Sequence, residues 1–510
     1  MSGADECTYE ALNAQDPQAI EPSTNANHIA RALLENRLDV LDQLGIGHIR
    51  ILWVDLTNTV RCYMLSRQHM IELLKTPLPG IPTSYASLGM VGIRVAPGLS
   101  DRGELLYLID PSTFRLCTYA RGHAVVMGIF REKTPTPQYG LEVPICPRTL
   151  LKRVELDAAV NVGVRFLVGF KVFILLQGPK SGIIVGVNDA EYTTESDKLP
   201  AGATETLIMK GVVDALVAAG IEVPMMHPEA APGRFKLITR PLPPVQAADA
   251  LVFITETIRS IAFKRGYLAT HLATFTPSLY EEHPGSGLHA HISVHEINDP
   301  TANPKSPRDD QILAPTLSDT VRSFLQGMLT HLPALCALTL PTSASYARVV
   351  DKAVSGGTYV VWGSDNRETP IRLYGTPRTE SAGGHHFEVK CLDSTACSYV
   401  ALAGLLGMGA DGIKRGVRLT QKDCNTKGVH EMSTEEKVEF GVTDAEVKRL
   451  PQSIEEARGT LTMDSDLVSL LGEQFVRDYL SVNELLQNSK EGLTGINEKK
   501  DAMMKLIQKY

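Results

Sequence analysis

Gly285-Ser286-Gly287-Leu288-His289-Ala290-His291-Ile292-Ser293-Val294-His295 alternates polar and apolar residues behind a glycine turn. Side chains of a strand point alternately to its two faces. His289, His291, Ser293 and His295 therefore share one face, and Leu288, Ala290, Ile292 and Val294 the other. An edge strand with a wet histidine face is the plainer explanation of any His-x-His, but four aligned polar residues behind Gly-Ser-Gly favour a site. A second string, His385-His386-Phe387-Glu388-Val389-Lys390-Cys391-Leu392-Asp393, places His386, Glu388 and Lys390 on one face and Phe387, Val389 and Cys391 towards a core. Taken alone, it reads as a solvated strand face carrying a cross-charge pair.

Two further features bear on chemistry. Lys171 lies inside the apolar run Phe166–Leu176, FLVGFKVFILL. A lone buried ammonium costs several kcal/mol, on the order-of-magnitude burial argument, unless it is paired. Lys171 is thus expected to face a polar cavity or meet a carboxylate, with an edge-strand lysine that snorkels to water as the alternative. Arg348 in SASYARVV, and Arg367 and Arg372 in SDNRETPIR, place three guanidinium forks close together in sequence, the chemistry of a carboxylate or phosphate pocket. Surface salt bridging is the bland alternative.

Outward from these strings, the chain reads as two regions. Residues 1–26 are a polar tail. A helix is expected over residues 27–44, where Ile29, Leu33, Leu34, Leu38 and Leu41 recur at helical spacing before Gly45. Short strands follow at His48–Leu56, Arg61–Met64, Leu105–Ile109 and His123–Ile129, with Asp110-Pro111-Ser112 as a turn. Residues 27–140 thus form a small mixed domain. Pro135, Pro137, Pro144 and Pro147 mark a hinge, and residues 147–510 form a larger region of helices alternating with strands. Helices are expected at Leu150–Ala159, Glu205–Ala219, Ala247–Arg265, Asp319–Leu332 and, rich in small residues, Thr395–Gly412. The fold class is α+β.

The composition restricts the function. The chain has 510 residues, 43% of them hydrophobic, with 50 Lys+Arg against 58 Asp+Glu and a net charge of −8. That size and apolar fraction support folded domains, and the acidic balance argues against a nucleic-acid or anionic-membrane binder. The eight cysteines include no Cys-x-x-Cys pair, so neither a zinc knuckle nor a dithiol motif is expected. The N-terminus lacks an apolar signal segment and the longest apolar run is too short for a membrane helix, so the expected location is the cytoplasm.

In order along the chain, HPEAAPGRFK from His227, GSGLHAHISV from Gly285, NRETPIRL from Asn366 and HHFEVKCLD from His385 resemble the strings HxExxPGQxE, GSGMHxHxSL, NRxxxIRIP and RRxExRxPD of glutamine synthetases, closest to the bacterial-type class and its fungal relatives. The resemblance implies an N-terminal β-grasp domain, a larger α+β catalytic domain and a ring-shaped homo-oligomer, decamer or dodecamer, with sites between subunits. It also implies an ATP-dependent ligation of glutamate with ammonia or an amine, assisted by Mg²⁺ or Mn²⁺ held in a carboxylate cage. Residue by residue, the metal ligands retained would be Glu229, His289 and Glu388. The anion contacts would be Arg348, Arg367 and Arg372, with Gly285 near the substrate amino acid and His291 and Ser293 near nucleotide.

The chain departs from that pattern where charge matters most. The family strand GFExEF reads Gly169-Phe170-Lys171-Val172-Phe173, so both same-face acids are gone. The glutamate of PGQxE is Lys236 and its glutamine is Arg234, the lysine of TFxPKP is Ser278, and the arginines flanking the last metal glutamate are His386 and Lys390. The loop Ser84–Gly89 carries no acid where classical members hold an ammonium-binding aspartate. Placing a dication beside these two lysines would be opposed by on the order of 4 kcal/mol per unit pair at 4 Å and an effective dielectric near 20, and double for the dication. The expectation is therefore that Lys171 pairs with Glu388 and Lys236 with Glu229, ammonium groups replacing metal. No metal or nucleotide cofactor is then expected. The function expected is a repurposed acid–base enzyme in which Lys171, Lys236, His289, Glu229 and Glu388 act on a small molecule whose carboxylate is held by the arginines. An oligomeric pseudoenzyme and a surviving glutamate–amine ligase are the alternatives.

Overall fold

The structure is a computed structural model that describes residues 32–33, 35, 37–100, 102–177, 199–229, 233–270, 287–297, 308–346, 349–351, 356–375, 385–425, 427–443 and 448–491. The polar tail, Ser278, Gly285 and Arg348 lie outside them. Of the helix expected over residues 27–44, the described part contains α1 (Val40–Gln43), which buries Val40 and Leu41 and ends before Gly45 in a left-handed conformation.

The N-terminal region is a six-stranded mixed sheet. Its strands are β1 (His48–Val54), β2 (Val60–Ser66), β3 (Gly80–Ser84), β4 (Glu104–Leu116), β5 (His123–Thr136) and β6 (Gly140–Glu142), in the order β2-β1-β5-β4-β3 with β6 on β5. β1 runs parallel to β5 and the other pairs are antiparallel. The helix α2 (Arg67–Leu74) begins at Ser66, whose hydroxyl accepts from the His69 N–H. Asp110-Pro111-Ser112 does not end a strand as expected. It is a register shift inside β4, where Asp110 Oδ1 accepts from the Ser112 N–H at 3.1 Å. The proline-rich stretch is likewise structured: Pro135 lies in β5, β6 pairs back on it, and Pro147 opens α3 (Pro147–Asp157) at a position that needs no N–H donor.

The second region is built on an eight-stranded sheet made of β7 (Val164–Gln177), β8 (Met225–Pro228), β9 (Arg234–Ile238), β10 (Leu268–Thr270), β11 (Leu288–Glu296), β12 (Trp362–Ser364), β13 (Ile371–Tyr374) and β14 (His386–Val389). The order is β8-β9-β7-β11-β14-β13-β12, with β10 on β7. Among the described pairs of this sheet, only β12 and β13 run parallel. The helices of this region are α4 (Thr204–Ala218), α5 (Pro244–Lys264), α6 (Asp319–Thr339), α7 (Ser398–Arg415), α8 (Ile454–Met463), α9 (Ser465–Leu471) and α10 (Glu473–Glu491), and Phe324 of α6 packs on Phe166 and Phe387 of the sheet. The small residues of α7 serve close approach to α6. A Cβ on Gly409 would stand 2.2 Å from Phe324, and one on Gly412 2.4 Å from the Ser323 carbonyl.

The two regions share one apolar core, from Ala32 to Leu486. Buried polar bonds cross it. Arg148 donates to Asp249 on α5 and to Asp110 on β4, each at 3.0 Å, and Tyr399 Oη donates to Asp249 at 2.6 Å. The result is a mixed α+β chain in which both regions are locked together rather than joined by a free hinge.

Candidate functional site

The register of the large sheet decides which side chains meet. His289 stands opposite Lys171 across β11 and β7; His291 and Arg372 each stand opposite Glu388; Tyr374 stands opposite His386; and Lys236 stands opposite Phe173. Directly opposed residues in antiparallel strands share a face. Side chains from five strands therefore converge on the face turned away from the Val172 and Leu288 core positions.

Glu388 is the centre. Its Oε1 accepts from Lys171 Nζ at 2.9 Å and from His289 Nδ1 at 2.9 Å, with His291 Nε2 at 3.4 Å. Lys171 and Glu388 are each 2% exposed, so the ammonium is paired in the interior and does not snorkel. Lys171 Nζ also donates to Tyr374 Oη at 3.1 Å, and Arg372 Nη1 donates to the same oxygen at 2.6 Å. The Tyr374 ring stacks on His386 with centroids 5.1 Å apart, and His386 lies 5.0 Å from His291. This is no solvated strand face. Tyr374→Phe should cost about 1–3 kcal/mol, because two buried cationic donors lose one acceptor. Urea denaturation reads it, and an unchanged midpoint would mean the hydroxyl does not hold them.

The electrostatics follow from burial and neighbours. Burial opposes ionisation of Glu388, but the Lys171 charge, the His289 hydrogen bond and the nearby His291 outweigh it and hold the carboxyl well below its usual range. Burial drives His289 down to about 4 and His291 down to about 3, against the pull of Glu388. Both imidazoles are neutral at pH 7. Since a carboxylate can only accept, His289 Nδ1 carries the proton and Nε2 the lone pair. Burial, with the charges of Arg372, Lys171 and Arg367 against Glu388, brings the Lys390 ammonium down to about 7.

A second group adjoins the first through Phe173. Lys236 Nζ lies 3.5 Å from Glu229 Oε2, and both residues are buried. The Phe173 ring faces the Arg234 guanidinium at 5.0 Å and the Lys236 ammonium at 5.8 Å, and meets the His289 ring edge-on at 5.1 Å. An aromatic face thus stands where the resemblance implies a carboxylate. Ser293 is buried, its hydroxyl 2.8 Å from His295 Nε2. Arg367 is exposed, and its carbonyl joins the cluster by accepting from Lys390 Nζ at 2.6 Å. Tyr374 is a member to which the sequence alone assigns no role, although Ile371-Arg372-Leu373-Tyr374 alternates as clearly as the histidine strand does, and His386 enters only on the Glu388 face and as a replaced arginine. Lys390 enters from the sequence only as a replaced arginine.

This sheet, with its converging charged face, is that of an amide-ligase scaffold, and residues 144–491 match the glutamine synthetase catalytic domain. The chain belongs to the glutamine synthetase family. Among its relatives, protein fluG of Emericella nidulans is 29% identical over 93% of this chain; the chain spans only 50% of that protein. The gamma-glutamylpolyamine synthetase GlnA3 of Streptomyces coelicolor is 28% identical over 70% of this chain and 72% of its own length. The solved structure of a GmaS/ADP complex superposes with a TM-score of 0.71 at 19% identity, covering 91% of this chain and 99% of that one, which supports the fold.

The family's reaction implies divalent cations, and the residues here do not fit one at Glu388. Such cations take oxygen ligands, whereas Glu388 Oε1 is engaged by an ammonium and an imidazole N–H, each at 2.9 Å. Among the described residues, the His331, Asp411 and Asp466 side chains have spacing compatible with a metal. They sit on α6, α7 and α9, and Arg415 pairs with both aspartates.

Proposed function

We propose that this chain uses the glutamine synthetase scaffold for metal- and ATP-independent acid–base chemistry on a small carboxylate-bearing molecule. The carrying observation is the Lys171–Glu388 pair, 2.9 Å apart in the interior, on the strand where the family places a metal-binding acid. Glu388 orients His289 so that the Nε2 lone pair is presented as the proton acceptor. Lys171 supplies a fixed positive charge to stabilise negative charge developing on the substrate. Lys236, held by Glu229, is the second ammonium, and Arg372 and Arg234 offer forks for the substrate carboxylate. Arg348 and Arg367 join them in that role on the resemblance alone. Assembly as a ring with sites between subunits and a cytoplasmic location complete the reading; among the described residues, no helix is long and apolar enough to cross a membrane.

One observation favours a second reading, a non-catalytic oligomer: Lys171, Arg372, His386 and Glu388 are all buried and engaged with one another, as a stabilising network would be. The surviving ligase is the third. Purified, assembled protein given ATP, glutamate, Mg²⁺ or Mn²⁺, and ammonia or hydroxylamine should release no ADP above blank. Metal-dependent ADP release would sink the metal-free reading and restore the ligase. The non-catalytic reading is separated from the first by screening small carboxylates for ligand-induced stabilisation that His289→Ala removes.

A further inference from the structure

On the opposite face of the large sheet, a cavity of about 50 Å³ opens between the two regions of the chain. Its floor is Val172 and Leu288, paired across β7 and β11. These are the immediate neighbours of Lys171 and His289, and strand alternation turns them the other way. Val60 from β2 and Leu251 from α5 add apolar wall. The volume holds roughly three or four water-sized positions, enough for an acid of two or three carbons.

Its polar lining is uncharged apart from one guanidinium, and includes Asn58 and Thr255. Arg259 of α5 contributes a guanidinium, Ser394 a hydroxyl, and Ser398 is the first residue of the eighteen-residue helix α7, whose N-terminal end is the positive pole of its dipole. Among the described residues that line the cavity, none carries a carboxylate. Ser394 Oγ is buried and, among the described residues, has no hydrogen-bond partner, a state that a buried hydroxyl keeps only at a cost unless a ligand or water satisfies it. Arg259 Nη1 lies 3.7 Å from Glu256 Oε1, and a guanidinium can serve several acceptors at once. Burial lowers the Arg259 pKa from its usual value, so an anion beside it would be welcome.

We propose that this cavity binds a short-chain monocarboxylate, its carboxylate on Arg259 and Ser394 and its alkyl group against Val60, Val172, Leu251 and Leu288.

The test uses the full-length assembled protein and sodium propionate at constant ionic strength, followed by titration calorimetry, with propionamide as the uncharged isostere. Propionate should bind saturably and propionamide about tenfold more weakly or worse, the loss of a charge-assisted contact. Arg259→Gln should weaken propionate by a similar factor. Thr255→Leu, which fills the cavity from α5, should abolish binding while leaving the ligand-free melting temperature in place. Arg372→Gln, on the other face, should leave the propionate Kd within twofold. The proposal is overturned if propionate does not saturate, if propionamide binds equally well, if binding survives Thr255→Leu, or if the affinity follows Arg372 instead of Arg259.

Discussion

Lys171→Met should lower the unfolding free energy by about 3–5 kcal/mol, the usual loss when one partner of a buried ion pair is removed. The substitution keeps the volume and the straight chain, so the effect isolates charge. Glu388 would then be a buried carboxylate whose neighbours include two neutral imidazoles, Arg372 Nη1 4.0 Å from its Oε2, and the charge of Lys390. Two responses are open to it: to take up a proton near neutral pH, or to draw His289 into its charged form. The first appears in NMR as a Glu388 carboxyl titration near neutral pH, the second as an upward shift of the His289 titration. The double variant Lys171→Met, Glu388→Leu should recover most of the loss, since replacing a whole buried pair with apolar groups is commonly neutral or stabilising. A single variant within about 0.5 kcal/mol of the parent, the range of ordinary surface changes, would mean that Lys171 does not neutralise Glu388. Mg²⁺ or Mn²⁺ should not rescue the single variant if the ammonium is a replacement for metal. Rescue would show that the pocket still prefers a cation of its own choosing.

Much of this site is legible from alternation alone, because it lies on strands. The period of two places His289, His291 and Ser293 on one face and Glu388 with Lys390 on another, and both assignments survive folding. What alternation cannot supply is register between strands far apart in sequence. Lys171 and Glu388 are 217 residues apart; the charge argument says only that a lone ammonium in an apolar run must find a polar partner, and it is the resemblance that names Glu388 as that partner. Tyr374 escapes because a tyrosine ending a short strand carries no charge imbalance to resolve. Its role as joint acceptor for Lys171 and Arg372 follows from the β13–β14 register. Arg367 joins the cluster through its carbonyl, which accepts from Lys390 Nζ, a contact that the arginine's place in the sequence does not announce. The prolines between Pro135 and Pro147 mislead because proline marks both hinges and strand or helix ends, and only pairing with β6 tells them apart.

Stability should collapse on the acid side, and the sign follows from the two histidines. In the unfolded chain both imidazoles titrate near 6.5, whereas in the folded protein burial holds His289 at about 4 and His291 at about 3. Between those values and 6.5 the unfolded state binds more protons, so stability rises with pH there and is lost as pH falls. Glu388, with its folded pKa well below 4.5, adds a loss of the same sign once the pH drops under 4.5. The combined loss from pH 7 to pH 4 is on the order of several kcal/mol, since each tenfold difference in proton affinity between the folded and unfolded chain is worth about 1.4 kcal/mol. Lys390 acts on the alkaline side with the same slope. Its folded value of about 7 lies below the usual 10.5, so the unfolded state binds more protons between those limits and stability climbs with pH. Melting temperatures in a constant-ionic-strength buffer series should therefore rise steeply from pH 4 to 6.5, then more gently from 7 towards 10. His291→Asn should flatten the acid limb and Lys390→Met the alkaline one, each without moving the other. An acid limb unchanged in His291→Asn would place the buried proton demand on other groups and remove the electrostatic ground for a neutral His289 facing the substrate.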